Sequence, residues 1–154
     1  MTSRYQPPPI IKAAQRLLVD IEQFVRGFDR YHKYQIGSDL RRAASTVVQL
    51  ASRAWRDQAH RRRWVGQLVW AVDELKQHMQ TAKLIKAFRS FRHFEHLARQ
   101  AEELGAQVGG WNRQLSPQAQ NPSGQQSGAE RGQKLSTRAA SPYTCDQAVQ
   151  PGCG

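Results

Sequence analysis

Phe94-Glu95-His96-Leu97-Ala98-Arg99-Gln100-Ala101-Glu102-Glu103-Leu104-Gly105-Ala106-Gln107-Val108-Gly109-Gly110-Trp111-Asn112-Arg113-Gln114-Leu115 places apolar side chains at 94, 97, 101, 104, 108, 111 and 115. Steps of three and four alternate without a break, which is the period of one face of an α-helix. A helix with one apolar stripe must bury it against other helices, so partners are expected elsewhere in the chain. They are found upstream. Trp64, Leu68, Ala71, Leu75, Met79, Ala82 and Ile85 repeat at helical spacing, flanked by Val65, Val69 and Val72 and closed by Phe88. Ser90 can cap the helix that follows. Before that, Leu40, Ala43, Val47, Ala51 and Ala54 form a stripe widened by Ala44, Val48 and Trp55. Ser38 stands as its N-cap, and Asp39 suits the positive end of the helix. Ile11, Ala14, Leu18, Ile21, Val25 and Phe28 make the first stripe, started by Pro9 after two further prolines, since the first turn needs no N–H.

The breaks between these stripes are short. Residues 29–37 read as a connection, and 57–63 are polar and crowded with like charge. No segment alternates with period two, so no strand is assigned. Four amphipathic helices with short links predict an all-α, antiparallel up-down-up-down four-helix bundle over 10–115. A short arm, 1–9, precedes it. Residues 116–154 change composition to Gln, Ser, Gly and Pro, and are expected to be a disordered tail, because they cannot bury enough apolar surface to offset their ordering entropy. Gly105, Gly109 and Gly110 interrupt the last stripe at up to ~1 kcal/mol each against alanine. Glycine on so strong a stripe suggests that another backbone approaches closely there.

Charge narrows the function classes. The 154 residues hold 23 Lys and Arg against 12 Asp and Glu, a formal net charge of +11, and 20 of the basic residues precede Ser116. The excess therefore belongs to the bundle. Solubility alone needs a net charge of only about 2 to 8, so a polyanion is the first partner to consider, nucleic acid before an anionic membrane surface. No apolar run approaches the roughly 18 residues needed to span a bilayer, and Met1-Thr2-Ser3-Arg4 leads into prolines rather than a signal peptide. A cytoplasmic protein is expected. Cys145 and Cys153 lie in the tail, where free thiols are expected.

Two basic clusters follow from the antiparallel order. Lys33, Arg41, Arg42, Lys83, Lys86, Arg89 and Arg92 fall at or toward one end, and Arg61, Arg62 and Arg63 at the other. Lys76 lies on the outer side of the third helix in this reading. Each run by itself is the solvated face of a helix; their sum makes them candidate nucleic-acid contacts. Tyr31, His32 and Tyr34 surround Lys33, and Phe91, His93 and Phe94 surround Arg92. Such rings can stack on bases while the cations hold phosphates. Equally, Tyr31, Tyr34 and Phe91 can plug the end of the core.

Catalytic signals are few. No nucleophile stands beside a plausible base, and there is no Gly-rich phosphate loop. Asp73 and Glu74 are adjacent on one helix and point apart. His93 and His96, three apart, lack a further metal ligand and read as a solvated pair. No cofactor, metal or catalytic residue is expected. Helical ribonucleases of the HEPN type carry Arg and His at short spacing, as in Arg26 to His32, Arg53 to His60 and Arg89 to His96. With this many arginines, roughly two such matches arise by chance, so they decide nothing.

Tyr31-His32-Lys33-Tyr34-Gln35-Ile36-Gly37-Ser38-Asp39-Leu40-Arg41 resembles a signature of a small four-helix-bundle family. That family comprises the accessory variability determinants (Avd) of diversity-generating retroelements and the proteins encoded in ribosomal RNA intervening sequences. Asp73-Glu74-Leu75-Lys76 and Gly109-Gly110-Trp111 also look like family features. The resemblance covers 11–115 and none of the tail. It implies a basic homopentamer that binds a reverse transcriptase together with template RNA and cDNA and supports mutagenic cDNA synthesis, without being an enzyme. The glycines of the last helix would then serve close packing within the bundle or between subunits. Two alternatives are a ribosomal-RNA-associated bundle without a polymerase partner and a HEPN-like ribonuclease.

Overall fold

The computed structural model describes residues 6–116; the expected tail from 117 on, with both cysteines, lies outside them. Helix α1 runs Pro9–Val25, with proline at its first turn, where a missing N–H is no loss. A single turn, α2, spans Arg30–Tyr34, and α3 follows at Ile36–Arg56. Helix α4 is Arg61–Leu84 and α5 is Phe91–Leu115. No strand occurs among the described residues. The four long helices close a ring in the order α1, α3, α4, α5, each packed on its two ring neighbours. This is the antiparallel four-helix bundle that periodicity predicts.

Side chains filling the ring include Leu17, Ile21, Leu40, Leu68, Leu75, Met79, Leu97 and Leu104, all essentially inaccessible. Among the described residues no polar or charged residue is buried, so burial of aliphatic surface, at about 25 cal/mol per Å², dominates the fold. Three positions correct the stripes by one or two residues. Leu17 is buried and Leu18 only half so; Val65 takes the inner place given to Trp64; Ala87 is buried beyond α4, while Ile85 is 42% exposed.

Residues 29–37 are not an irregular connection, and Ser38 is not an N-cap. The cap position of helix α3 lies three residues earlier, at Gln35, whose side chain makes no cap bond. The Ser38 amide donates to the Gln35 carbonyl at 2.9 Å. Starting at Ile36 lets Ile36 and Gly37 be buried, and burying an isoleucine outweighs a hydroxyl cap of ~1 kcal/mol. Ser90, in contrast, does cap α5, its Oγ accepting from the Arg92 amide at 3.2 Å.

Close approach occurs at a different glycine from those expected. A Cβ on Gly37 would lie 2.6 Å from Val25 Cγ1 and 3.2 Å from the His32 carbonyl oxygen. A Cβ on Gly109 or Gly110 would meet nothing within 4 Å, and one on Gly105 would meet the flexible end of Lys76, its Nζ at 3.0 Å, and Val72 Cγ1 at 3.7 Å. Helix α4 ends with Lys86 in the left-handed region, φ 56°. The Lys86 amide donates to the Lys83 carbonyl and the Ala87 amide to the Ala82 carbonyl, at 3.0 and 2.9 Å. This pair of bonds is a Schellman closure, at whose left-handed position glycine is the usual occupant. A residue with a Cβ costs roughly 1 kcal/mol more there.

Candidate nucleic-acid interface

One end of the bundle gathers the end of α1, α2, the start of α3, the end of α4 and the start of α5. Aromatic rings gather at the end of its core. Phe28 meets Phe88 at 5.1 Å between centroids, Phe88 meets Phe94 at 5.9 Å, and Phe94 meets Phe91 at 5.8 Å. Phe28 and Phe94 are buried. Tyr31, Tyr34 and Phe91 do not plug the core; they are 73%, 67% and 64% exposed. Phe28, Phe88 and Phe94 do that work instead, which leaves three rings on the surface among the cations.

The basic residues at this end divide by what already engages them. Arg41 Nε donates to Glu22 Oε2 at 2.9 Å, tying α3 to α1. Arg89 Nε donates to the Gly27 carbonyl at 2.7 Å, covering an oxygen just past the end of α1. Lys83 Nζ stands 4.8 Å from the Phe94 centroid and 5.6 Å from that of Phe91, a cation–π arrangement. Arg42 is exposed, with Asp39 at 3.6 Å, a pair of little energetic consequence. Lys33, Lys86 and Arg92 have no carboxylate within 4.0 Å among the described residues. Lys76 is not on the outer side: its Nζ lies 3.0 Å from Glu102 Oε2 of α5, with its side chain only 26% exposed.

At the opposite end Arg61, Arg62 and Arg63 begin α4. Arg61 Nε donates to the Ala54 carbonyl at 3.2 Å. Arg63 and Arg53 place their guanidinium carbons 5.6 and 5.4 Å from the Trp64 centroid. The Trp64 indole donates to Asp57 Oδ2 at 2.9 Å. That bond, with those from the His60 amide and ring, outweighs desolvation and holds the Asp57 carboxyl below the usual carboxylate range. Arg61 and Arg63 thus help fix the α3–α4 turn, while Arg62 points to solvent.

A polar cluster that no local pattern signals lies between α1 and α5. His96 Nε2 and Gln100 Nε2 approach Asp20 Oδ2 at 2.9 and 2.6 Å. Burial raises the Asp20 carboxyl, but the bonds from Gln100 and His96 and the charges of His96 and Arg16 outweigh it, so its pKa is lowered. His93 stacks on Phe24 at 4.4 Å. The two histidines are therefore not a solvated pair; each is committed to α1. Asp20 stands 76 residues before His96, so only the topology brings them together. Among the described residues no group of three metal-ligating side chains occurs, and no helix is long and apolar enough to cross a membrane.

No family model matches this chain, and no curated protein matches it.

Proposed function

We propose that this bundle is a non-catalytic accessory protein of a diversity-generating retroelement, binding the reverse transcriptase and its template RNA and cDNA through its basic surface and supporting mutagenic reverse transcription. The observation that carries the nucleic-acid part is the end where, among the described residues, Lys33, Lys86 and Arg92 lack carboxylate partners and Tyr31, Tyr34 and Phe91 are exposed. Cations there reach phosphates without first breaking an ion pair, and the exposed rings can meet bases. The polymerase partner and a homopentameric assembly rest on the resemblance of residues 31–41. Exposed Trp70 and Leu84 on α4 offer apolar surface for contacts between copies. A ribosomal-RNA-associated bundle shares the same chemistry and lacks the polymerase.

Binding of a structured RNA should weaken by orders of magnitude between about 50 and 200 mM salt, because each neutralised phosphate releases a counterion. Affinity that stays flat over that range rejects the reading. A reverse transcriptase gene beside this one separates the retroelement reading from the ribosomal one, and light scattering reads the assembly size.

One observation favours a ribonuclease as the second reading. Asp20 orients His96 as a carboxylate orients a general base, beside a hollow of about 280 Å³ lined by Arg16, Arg99 and Glu103. Cleavage of RNA by the purified protein, lost in His96→Ala, would replace the accessory reading.

A further inference from the structure

The α4–α5 turn encloses an open hollow of about 280 Å³ lined by Lys83, Lys86, Phe88, Phe91 and Phe94. Its floor is aromatic and its rim carries two ammonium groups. The volume falls just below the ~300–1,000 Å³ of sites for drug-sized ligands, so it suits one planar ring system. Phe91 is 64% exposed, and Phe94 supports it from behind at 5.8 Å. Among the described residues neither lysine has a carboxylate within 4.0 Å.

The backbone supplies an independent observation. Lys86 occupies the left-handed position of the Schellman closure, φ 56°, where glycine would fit without strain. A side chain kept at a strained position points to use of that side chain. Here it lines the hollow.

We propose that this hollow seats one unpaired nucleotide: the base stacks on Phe91, and Lys83 and Lys86 hold the phosphates on either side of it. The inference rests on the nucleic-acid reading above and narrows it to single strands and loops. A base inside a duplex has both faces covered by its neighbours and cannot enter. Lys83 Nζ, now over the Phe91 and Phe94 rings, has donors left for an anion, so the ring contact and a phosphate contact are compatible.

The test compares three probes by fluorescence anisotropy at low salt: a single-stranded oligoadenylate, an abasic oligomer of the same length, and an RNA duplex. The wild-type protein should bind the oligoadenylate about tenfold more tightly than the abasic oligomer, the gain from stacking one base. Phe91→Ala should abolish that difference and leave duplex binding unchanged. Lys86→Gly should weaken oligoadenylate binding several-fold while its melting temperature stays level or rises. Equal affinity of the wild type for the base-bearing and abasic strands overturns the nucleotide seat and leaves the nucleic-acid reading standing. So does a Lys86→Gly variant that melts lower and binds as before, because the lysine is then structural. Failure to bind any of the three probes rejects both readings together.

Discussion

Arg89 Nε lies 2.7 Å from the carbonyl oxygen of Gly27, so a residue of the α4–α5 turn secures the exit from α1. Arg89→Ala should therefore destabilise the bundle by about 1 kcal/mol, the usual net worth of an exposed hydrogen bond with a charged donor. Arg92→Ala, with no such bond, should leave stability within about 0.5 kcal/mol of wild type. Urea unfolding separates the two. The result bears on any binding experiment: loss of RNA binding in Arg92→Ala reports on the interface, whereas loss in Arg89→Ala also carries the loosened α1.

Gly37→Ala should cost about 1–3 kcal/mol, the range for overpacking, since its Cβ would sit 2.6 Å from Val25 Cγ1. Gly109→Ala and Gly110→Ala should each stabilise α5 by up to ~1 kcal/mol through helix propensity, because their added Cβ atoms meet nothing within 4 Å. Thermal melts of the three variants check the ordering. If Gly109→Ala stabilises the subunit yet changes the assembly mass in light scattering, that glycine faces another copy.

Acid should weaken the bundle partly through Asp20. Its folded-state pKa is lowered from 3.8, so the folded chain binds fewer protons than the unfolded one in that region, and stability rises with pH. The contribution is full above about pH 5 and is lost as pH falls through 3.8 toward the lower folded value. Asp20→Asn should be less stable than wild type at neutral pH, and the gap should narrow below that window. Denaturant midpoints measured from pH 7 down to pH 3 would show it; a constant gap would mean that Asp20 acts without its charge.

Tyr31→Ala and Tyr34→Ala should change stability by less than about 0.5 kcal/mol, since both rings are exposed. Phe28→Ala should cost about 3–5 kcal/mol as a buried aromatic closing the core. Near-equal losses for all three would return the tyrosines to the core.

Periodicity made the helices legible because every long helix buries one face in a ring with a purely apolar interior. It placed Leu97, Ala101, Leu104 and Val108 without error and slipped where neighbouring apolar residues compete, as at Leu17 and Leu18, and where α4 ends, at Ile85 and Ala87. The start of α3 was illegible for a physical reason. Ser38 carries a strong local signal, but the decision belongs to tertiary burial of Ile36 and Gly37. Site residues divide the same way. Sequence identifies the cations, whereas the diversion of Arg41 to Glu22, Arg61 to Ala54 and Arg89 to Gly27 depends on neighbours 7 to 62 residues away.

The antiparallel order also sets the direction in which this bundle can be displayed. Pro8 and Pro9 at the head of α1 line one hollow with Trp111 near the foot of α5, so the described chain enters and leaves at the same pole. The pole bearing Phe91, Lys83 and Lys86 is the far one. Tethering the described residues through either end to a bead, a chip or a fused enzyme would leave that far pole turned outward. A circular permutant of the described residues, joined across the Trp111 pole and opened between Ala87 and Arg89, would reverse the display, hiding the Phe91 pole behind its own tether.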